Sequence, residues 1–321
     1  DHTEWYVSPK DTLEVIPRLP ELYCEPFSDA SQIPTFLVSQ LARKHVTVSL
    51  SGDAGDELFG GYNRYTVGHR LWKKLSLLPR GMRAALARSI KGVPPQQWTR
   101  VLGPVQKILP LGLAQANVGE KMHKGAGVMA SQTPAELYRL LVSHWSEPSE
   151  LVIGGREPPT ALTRLPSFKT DHFVHDMMAL DSFTYLTDDI LCKVDRAAMA
   201  VSLETRVPLL DHRVFEFAWQ LPLAYKIYDG VGKWPLRQVL YKYVPKKLIE
   251  RPKMGFGIPI DDWLRGPLRD WAETLLSESR LRQEGFFNPA PIRQKWEERL
   301  SAKKNWQHDL WEVLMAQAWL E

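Results

Sequence analysis

One short run constrains this chain more than any other. The stretch SLSGDAGDELFGGYNRY, residues 49–65, begins at the end of the β-branched segment 45–50. Three carboxylates, Asp53, Asp56 and Glu57, crowd into a glycine-rich turn at the point where a buried strand is predicted to end. A glycine loop between a strand and a helix is typical of the edge of a parallel α/β sheet, where ligands bind beyond the carboxyl ends of the strands. The run therefore predicts such an edge, with a ligand site at it.

Two interpretations of the three carboxylates stay open on spacing alone. The first is helix capping, in which each carboxylate at a helix N-terminus contributes about 0.3–1 kcal/mol. Against it, two carboxylates about 6 Å apart repel each other by roughly 2–3 kcal/mol at an effective dielectric constant near 20. In the second interpretation a Mg²⁺ ion, held by one or two carboxylates plus phosphate oxygens, offsets that repulsion. Gly52 and Gly55 would then let backbone amides approach the ligand closely.

The rest of the chain is predicted to be mostly helical. A helix begins at Pro34, a strand follows over residues 46–50, and the acidic loop leads into a further helix. From about His69 onward few strands are predicted, and apolar residues recur at intervals of three and four. The predicted fold is α/β and mostly helical, with a partial α/β unit over residues 1–68 and a large helical part over residues 69–321.

Composition narrows the classes of partner. The chain has 41 Lys and Arg against 37 Asp and Glu, and a net charge of +4 does not by itself imply a nucleic-acid partner. For the basic segment 69–92, a solvated amphipathic helix pair is the simplest interpretation, and a nucleic-acid or membrane surface is the alternative. Cys24 and Cys192 match neither a disulfide framework nor a zinc site, which favours a reducing cytoplasm. We expect no nucleic-acid partner and no membrane partner.

Three blocks of the sequence resemble one family. Residues 50–65, LSGDAGDELFGGYNRY, are similar to the LSGxGxDExFGGY signature of the synthetase domain of glutamine-dependent asparagine synthetases, the asparagine synthetase B family. Residues 185–222 and 251–269 resemble a second and a third block of that family, in the family's order. The resemblance implies the fold of the ATP pyrophosphatases. It also implies that MgATP activates the aspartate side-chain carboxylate as an acyl-adenylate, which ammonia from a glutaminase domain of the same parent chain converts to asparagine.

The resemblance also assigns roles to the residues of the acidic loop. Ser51 and Gly52 match the pair that contacts the adenine nucleotide, and Gly55 is taken with them as cofactor-binding. Asp53 matches an acidic position associated with forming the acyl-adenylate and handling ammonia. Asp56 matches a carboxylate that holds Mg²⁺ on the pyrophosphate. These roles suit the chemistry, because adenylation creates charge on phosphate oxygens that a metal ion and a cation must stabilise.

Four residues outside the loop are further candidates, each with an alternative. Lys253 matches a lysine expected near the α-phosphate or pyrophosphate, or else it is a solvated lysine in a proline–glycine turn. Glu204 and Arg206 either recognise the amino-acid substrate or form an internal ion pair that fixes the turn before Pro208. Asp189 either faces the aspartate–ammonia pocket as a catalytic residue or is a carboxylate on a helix surface.

Two family features do not occur in these 321 residues. There is no SGGxDS loop, which the family uses to cradle the ATP phosphates on backbone amides. The glutaminase nucleophile is also missing, since Cys24 occupies a position where relatives often have Asp. We therefore expect a C-terminal part of a longer amidotransferase, inactive and binding ATP weakly or not at all by itself.

Two other functions and the oligomeric state stay open. A related amidotransferase or β-lactam synthetase-like enzyme would use the same fold on another carboxylate substrate. A non-catalytic binding module would use the helical part to contact a partner. A homodimer is a further expectation.

Overall fold

The computed structural model describes residues 2–102, 118–145, 147–163, 170–250, 257–301 and 303–321. In these ranges the chain is mostly helical with one small parallel sheet, which confirms the predicted mostly helical α/β fold. It divides into two compact units. The first unit comprises residues 1–61, 144–161 and 179–321, and the second comprises residues 62–143 and 162–178. The predicted division at residue 68 stays a prediction.

Most helices are short, because prolines and glycines begin or end many of them. Three 3₁₀ turns, Ile16–Arg18, Pro148–Glu150 and Pro208–Leu210, and a π-helical segment, Tyr185–Leu191, accompany the α-helices in the described ranges. The α-helices are α1 Pro9–Val15, α2 Leu19–Tyr23, α3 Gln32–Arg43, α4 Gly55–Phe59, α5 Asn63–Leu75, α6 Arg80–Lys91, α7 Pro95–Leu102, α8 Val118–Ala130, α9 Pro134–Val142, α10 Phe173–Phe183, α11 Cys192–Met199, α12 His212–Gln220, α13 Leu223–Lys226, α14 Trp234–Leu240, α15 Lys246–Ile249, α16 Ile260–Arg265, α17 Arg269–Leu275, α18 Glu278–Glu284, α19 Pro289–Leu300 and α20 Gln307–Trp319.

The sheet pairs two three-residue strands, β1 (Val48–Leu50) and β2 (Glu204–Arg206), in parallel and in register from end to end. The predicted strand 46–50 is confirmed in its C-terminal three residues, whereas β2 was not predicted at all. Its three residues carry no alternating pattern, so only pairing with β1 makes them a strand. The expected burial of β1 is wrong, because Val48 and Leu50 are 52% and 75% exposed.

Two apolar cores stabilise the described part of the first unit. The larger one joins α1–α3 to α16–α20 and includes Trp296 and Trp311, which are almost completely buried. The smaller one, here called the site core, lies under the acidic loop. Its buried members are Ala54, Leu58, Phe59, Leu186 and Ala218.

The second unit is built from α5–α9 and residues of α10. Helices α6 and α7 pack on α8, and α5 packs on α9. A buried arginine fixes the inner side of α6: the Arg83 guanidinium donates to the Ser131 carbonyl at 2.9 Å and lies over the Trp72 ring at 5.5 Å. The orientation of α6 about its axis is therefore set by Arg83 together with the buried Ala87.

Candidate active site

The acidic loop begins where β1 ends. Ser51 donates its backbone N–H to the Arg206 carbonyl at 2.8 Å, and its hydroxyl donates to Asp53 Oδ2. Because β1 and β2 are parallel, their carboxyl ends meet at one edge of the sheet, and the turn at Ser51 lies beside the end of β2. A Cβ atom placed on Gly52 would meet nothing within 4 Å beyond its chain neighbours. The backbone of this turn is therefore open to a ligand.

Helix α4 carries the other two carboxylates of the loop. It begins after Ala54, whose φ of 66° lies in the left-handed region, and ends at Gly60 with a φ of 69°. Glu57 is buried, whereas Asp56 keeps 27% of its side chain exposed. The helix anchors itself in the site core, and Asp56 is the carboxylate on it that stays accessible to a ligand.

Lys233 adds a cation that the sequence analysis missed. Its ammonium lies 2.6 Å from Asp56 Oδ2, and 29% of its side chain is exposed. Its backbone N–H donates to the Phe59 carbonyl at 2.8 Å, which fixes the start of α14 against the end of α4. The local sequence DGVGKWPL predicts a turn before a helix, but nothing in it points to a carboxylate so far away along the chain.

Two glycines allow Lys233 and its chain segment to approach Asp56 closely. A Cβ atom on Gly61 would lie 2.0 Å from Asp56 Oδ1 and 2.4 Å from Lys233 Cε. A Cβ atom on Gly232 would lie 2.1 Å from the carbonyl oxygen of Gly60. Both positions are therefore restricted to glycine in this arrangement, the first by side chains and the second by backbone.

Glu204 and Arg206 stand two residues apart on β2 and form an ion pair. Arg206 Nε lies 2.9 Å from Glu204 Oε1, with 69% and 49% of the two side chains exposed. This geometry matches the internal ion pair that was one of the two interpretations. At such exposure a pair contributes about 0–1 kcal/mol to stability, so Arg206 can leave Glu204 for a ligand at little cost. A role in substrate recognition stays a prediction.

Asp189 lies in a second cluster, with Asp29 and the buried Lys193. The Lys193 ammonium pairs with Asp29 and lies 3.4 Å from Asp189 Oδ1. Asp29 also accepts the Ser31 N–H at 2.8 Å and the Ser31 hydroxyl at 2.9 Å. The two carboxylates thus share one cation, and Asp29 has the larger share of donors.

This unequal sharing shifts the pKa values of the two carboxyl groups in opposite directions. Burial raises the pKa of Asp189 to about 7, and the neighbouring Asp29 charge acts in the same direction. Burial also acts to raise the pKa of Asp29, but Lys193 and the Ser31 N–H hold that pKa below its ordinary value. Asp189 can therefore take up or release a proton near neutral pH, while Asp29 stays charged.

The segment that carries Asp189 packs under the acidic loop. Leu186, in the same π-helical segment, is buried in the site core together with Ala54 and Leu58 of the loop and α4. The structure therefore joins the Asp189 segment and the acidic loop through one apolar core.

Lys253 lies outside the described residues. Within the described ranges, no three His, Cys, Asp or Glu side chains converge as a metal site. None of the helices in those ranges is long and apolar enough to cross a membrane.

A family model and individual relatives both match this chain, and their names agree. A family model described as Asparagine synthase matches residues 1–321. Asparagine synthetase (glutamine-hydrolyzing) 1 of Bacillus subtilis (strain 168) is 29% identical over 316 residues, which is 98% of this chain and 46% of the relative. A Mycobacterium bovis protein, provisionally named asparagine synthetase (glutamine-hydrolyzing), is 32% identical over 328 residues, which is 99% of this chain and 46% of the relative. The chain thus spans about half the length of these relatives.

Proposed function

The chain belongs to the asparagine synthase family, and from this premise we propose that it is part of a longer enzyme that makes asparagine from aspartate in an ATP-dependent step, and that it is inactive by itself. In the proposed reaction the aspartate side-chain carboxylate attacks the α-phosphorus of ATP, pyrophosphate leaves, and ammonia then displaces AMP from the acyl-adenylate. The observation that carries the proposal is the loop from Ser51 to Asp56. It lies at the carboxyl edge of parallel strands, has open backbone at Gly52, and has a lysine beside its accessible carboxylate.

The residues of the loop fit a magnesium-bound nucleotide. Proteins commonly hold Mg²⁺ with one or two carboxylates while phosphate oxygens and water complete its shell, and Asp56 would supply such a carboxylate. When bound, the metal neutralises phosphate charge during the displacement. Lys233, paired with Asp56 at 2.6 Å, would bring a point charge to the phosphates. Ser51, Gly52 and Gly55 would position the nucleotide at the end of β1.

Two carboxylate residues are proposed to accept protons in the ammonia step. Attack on the acyl-adenylate requires neutral ammonia and leaves a proton to be removed from nitrogen. Asp53, whose Oδ2 accepts the Ser51 hydroxyl, is proposed to take that proton. Asp189 is proposed to assist, because its pKa of about 7 lets it exchange a proton at neutral pH.

The remaining candidates are assigned to substrate and phosphate binding. Arg206, on release from Glu204, is proposed to pair with a carboxylate of the aspartate substrate, since an arginine fork matches a carboxylate well. Lys253 is proposed to stand near the α-phosphate or pyrophosphate. The relatives are named glutamine-hydrolyzing, and we extend this to a glutaminase domain of the same parent chain as the ammonia source. A cytoplasmic location and a homodimer are parts of the same proposal.

The test is pyrophosphate release by the intact enzyme from MgATP, aspartate and an ammonium salt, which removes the need for glutamine hydrolysis. Gly52→Ala is expected to fold normally, because its Cβ atom meets nothing within 4 Å, and to lose pyrophosphate release because the methyl group occupies the ligand's approach. Gly125→Ala, equally unobstructed but in α8, is the matched control and should keep full activity.

Pyrophosphate release with another acid but not with aspartate would replace the proposed substrate. No release with any carboxylic acid would favour a binding module.

A further inference from the structure

The second compact unit carries a strong imbalance of charge. Its residues, 62–143 and 162–178, include fifteen Lys and Arg but only four Asp and Glu, a net charge of +11 in a chain whose total is +4. Between Glu57 and Glu120 the sequence has ten Lys and Arg and no acidic residue. A positive potential of this size attracts an anionic partner at a distance.

Among the described residues of this segment, the corner between α5 and α6 has the longest run of exposed side chains. Here called the basic apolar corner, it consists of six side chains that are all exposed to solvent: Lys73, Lys74, Leu77, Leu78, Arg80 and Met82. Leu77 is 80% exposed, Met82 52% and Leu78 38%. Apolar side chains therefore stand among cations at the turn between two helices.

The corner cannot bury Met82 by rotating α6. Arg83, directly after Met82, is almost completely buried and bonded to the Ser131 carbonyl, and Ala87 is buried one turn later. Met82 and Leu86, which lie one turn apart on the helix, are 52% and 43% exposed. The same packing that fixes Arg83 inside thus fixes a Met–Leu stripe outside.

We propose that the basic apolar corner binds the surface of an anionic lipid bilayer. Leu77, Leu78 and Met82 would enter the boundary between headgroups and acyl chains, while Lys73, Lys74 and Arg80 would contact lipid phosphates. An interfacial site needs this combination of apolar side chains and flanking cations. It needs no membrane-spanning helix, and with it the proposal replaces the expectation, drawn from composition, of no membrane partner.

Lipid accounts for the corner better than nucleic acid does. Nucleic-acid binding is dominated by contacts between cations and phosphates, and such a complex would leave Leu77 exposed to water. A solvated helix pair, the simplest interpretation of the sequence, would direct its leucines inward. The exposure of Leu77 and Met82 therefore favours lipid.

The test is co-sedimentation of the protein with vesicles of phosphatidylcholine alone and of phosphatidylcholine mixed with phosphatidylglycerol. We expect binding to the anionic vesicles, weakened by added salt. The double variant Lys73→Gln/Lys74→Gln should weaken binding about thirty-fold, since each cation near the surface contributes about 1 kcal/mol. Leu77→Ser should weaken it about tenfold, because the serine side chain gains nothing from the apolar boundary.

Another pair of lysines beside an exposed leucine provides the matched control. Lys246, Lys247 and Leu248 are also exposed, with Leu248 at 56%, but they belong to the first unit, and Lys246 lies 3.4 Å from Glu250. Lys246→Gln/Lys247→Gln and Leu248→Ser should leave vesicle binding unchanged. All the substituted side chains are exposed, so the thermal unfolding midpoint should be the same in every variant.

Three results would overturn the proposal. The first is no binding to anionic vesicles, and the second is equal loss of binding in the control variants. The third is binding of single-stranded RNA that Lys73→Gln/Lys74→Gln weakens and Leu77→Ser does not, together with no vesicle binding. That pattern would identify a nucleic-acid surface.

Discussion

Lys233 Nζ lies 2.6 Å from Asp56 Oδ2, and the two residues are 177 positions apart in the chain. The backbone bond from Lys233 N–H to the Phe59 carbonyl holds the two segments together independently of the ion pair. Both side chains are nearly three-quarters buried, so the loss of hydration offsets much of their mutual attraction, and the pair itself contributes about 1–2 kcal/mol to folding. Its position in the acidic loop is therefore better explained by ligand binding than by stability.

Removing either member of this pair should separate stability from activity. In the intact enzyme we expect Asp56→Asn and Lys233→Met each to lower the free energy of unfolding by about 1–2 kcal/mol and to abolish pyrophosphate release. Urea denaturation and a pyrophosphate assay measure the two effects. Lys246→Gln, in the exposed pair with Glu250, is the control that should change neither. Retention of magnesium-dependent activity by Asp56→Asn would remove its assigned role.

The two crowded glycines should respond differently to alanine. In Gly61→Ala the new methyl group would meet the ends of the Asp56 and Lys233 side chains, which can rotate away, so stability should change little while the ion pair and the activity are lost. In Gly232→Ala it would meet the Gly60 carbonyl at 2.1 Å, which cannot move freely, so unfolding should become easier by about 1–3 kcal/mol. Equal destabilisation of both variants would contradict this distinction.

The sequence predicted the parts of this site that local chemistry determines. The β-branched run ending at Leu50, followed by glycines and acids, was sufficient to predict β1 and the acidic loop. The positive φ of Ala54 was not predictable, because alanine has no preference for the left-handed region. The partners supplied by β2 and by Lys233 were also missed, since each reaches the loop across more than 150 residues of chain. Such contacts depend on tertiary packing, which short-range periodicity does not encode.

Asp189 should make stability fall as the pH rises through neutrality. Folding raises its pKa from 3.8 to about 7, so its contribution is fully present below pH 3.8 and is lost as the pH rises through 7. The lowered pKa of Asp29 has the opposite sign, and its contribution is lost as the pH falls below its ordinary value. Asp189→Asn should flatten the profile between pH 4 and 8 and stabilise the protein at pH 8, by up to about 2 kcal/mol after allowing for the side chain's partial exposure.

Urea midpoints measured across that pH range test this prediction. Asp188→Asn is the matched control, because Asp188 is the exposed neighbour whose carboxylate accepts the Thr187 hydroxyl at 2.9 Å. It should keep the pH profile of the unsubstituted protein. A profile for Asp189→Asn that still falls between pH 4 and 8 would show that another group titrates there.

Lys226 should be a net cost to folding. Its side chain is completely buried, its ammonium lies over the Trp219 ring at 4.8 Å, and within the described ranges Nζ has no hydrogen-bond partner. Burial lowers its pKa from 10.5 to about 8, so the folded state binds fewer protons than the unfolded state between these values, and stability rises as the pH increases through that window. Lys226→Met should therefore raise the free energy of unfolding at pH 7 by roughly 2–3 kcal/mol and remove the rise above pH 8, both measurable by urea denaturation.

Lys295→Met is the contrasting control. Lys295 pairs with the buried Asp309 at 2.8 Å, so its loss leaves a carboxylate unpaired and should destabilise the protein. Destabilisation by Lys226→Met would instead mean that the contact with Trp219 outweighs the burial of the charge.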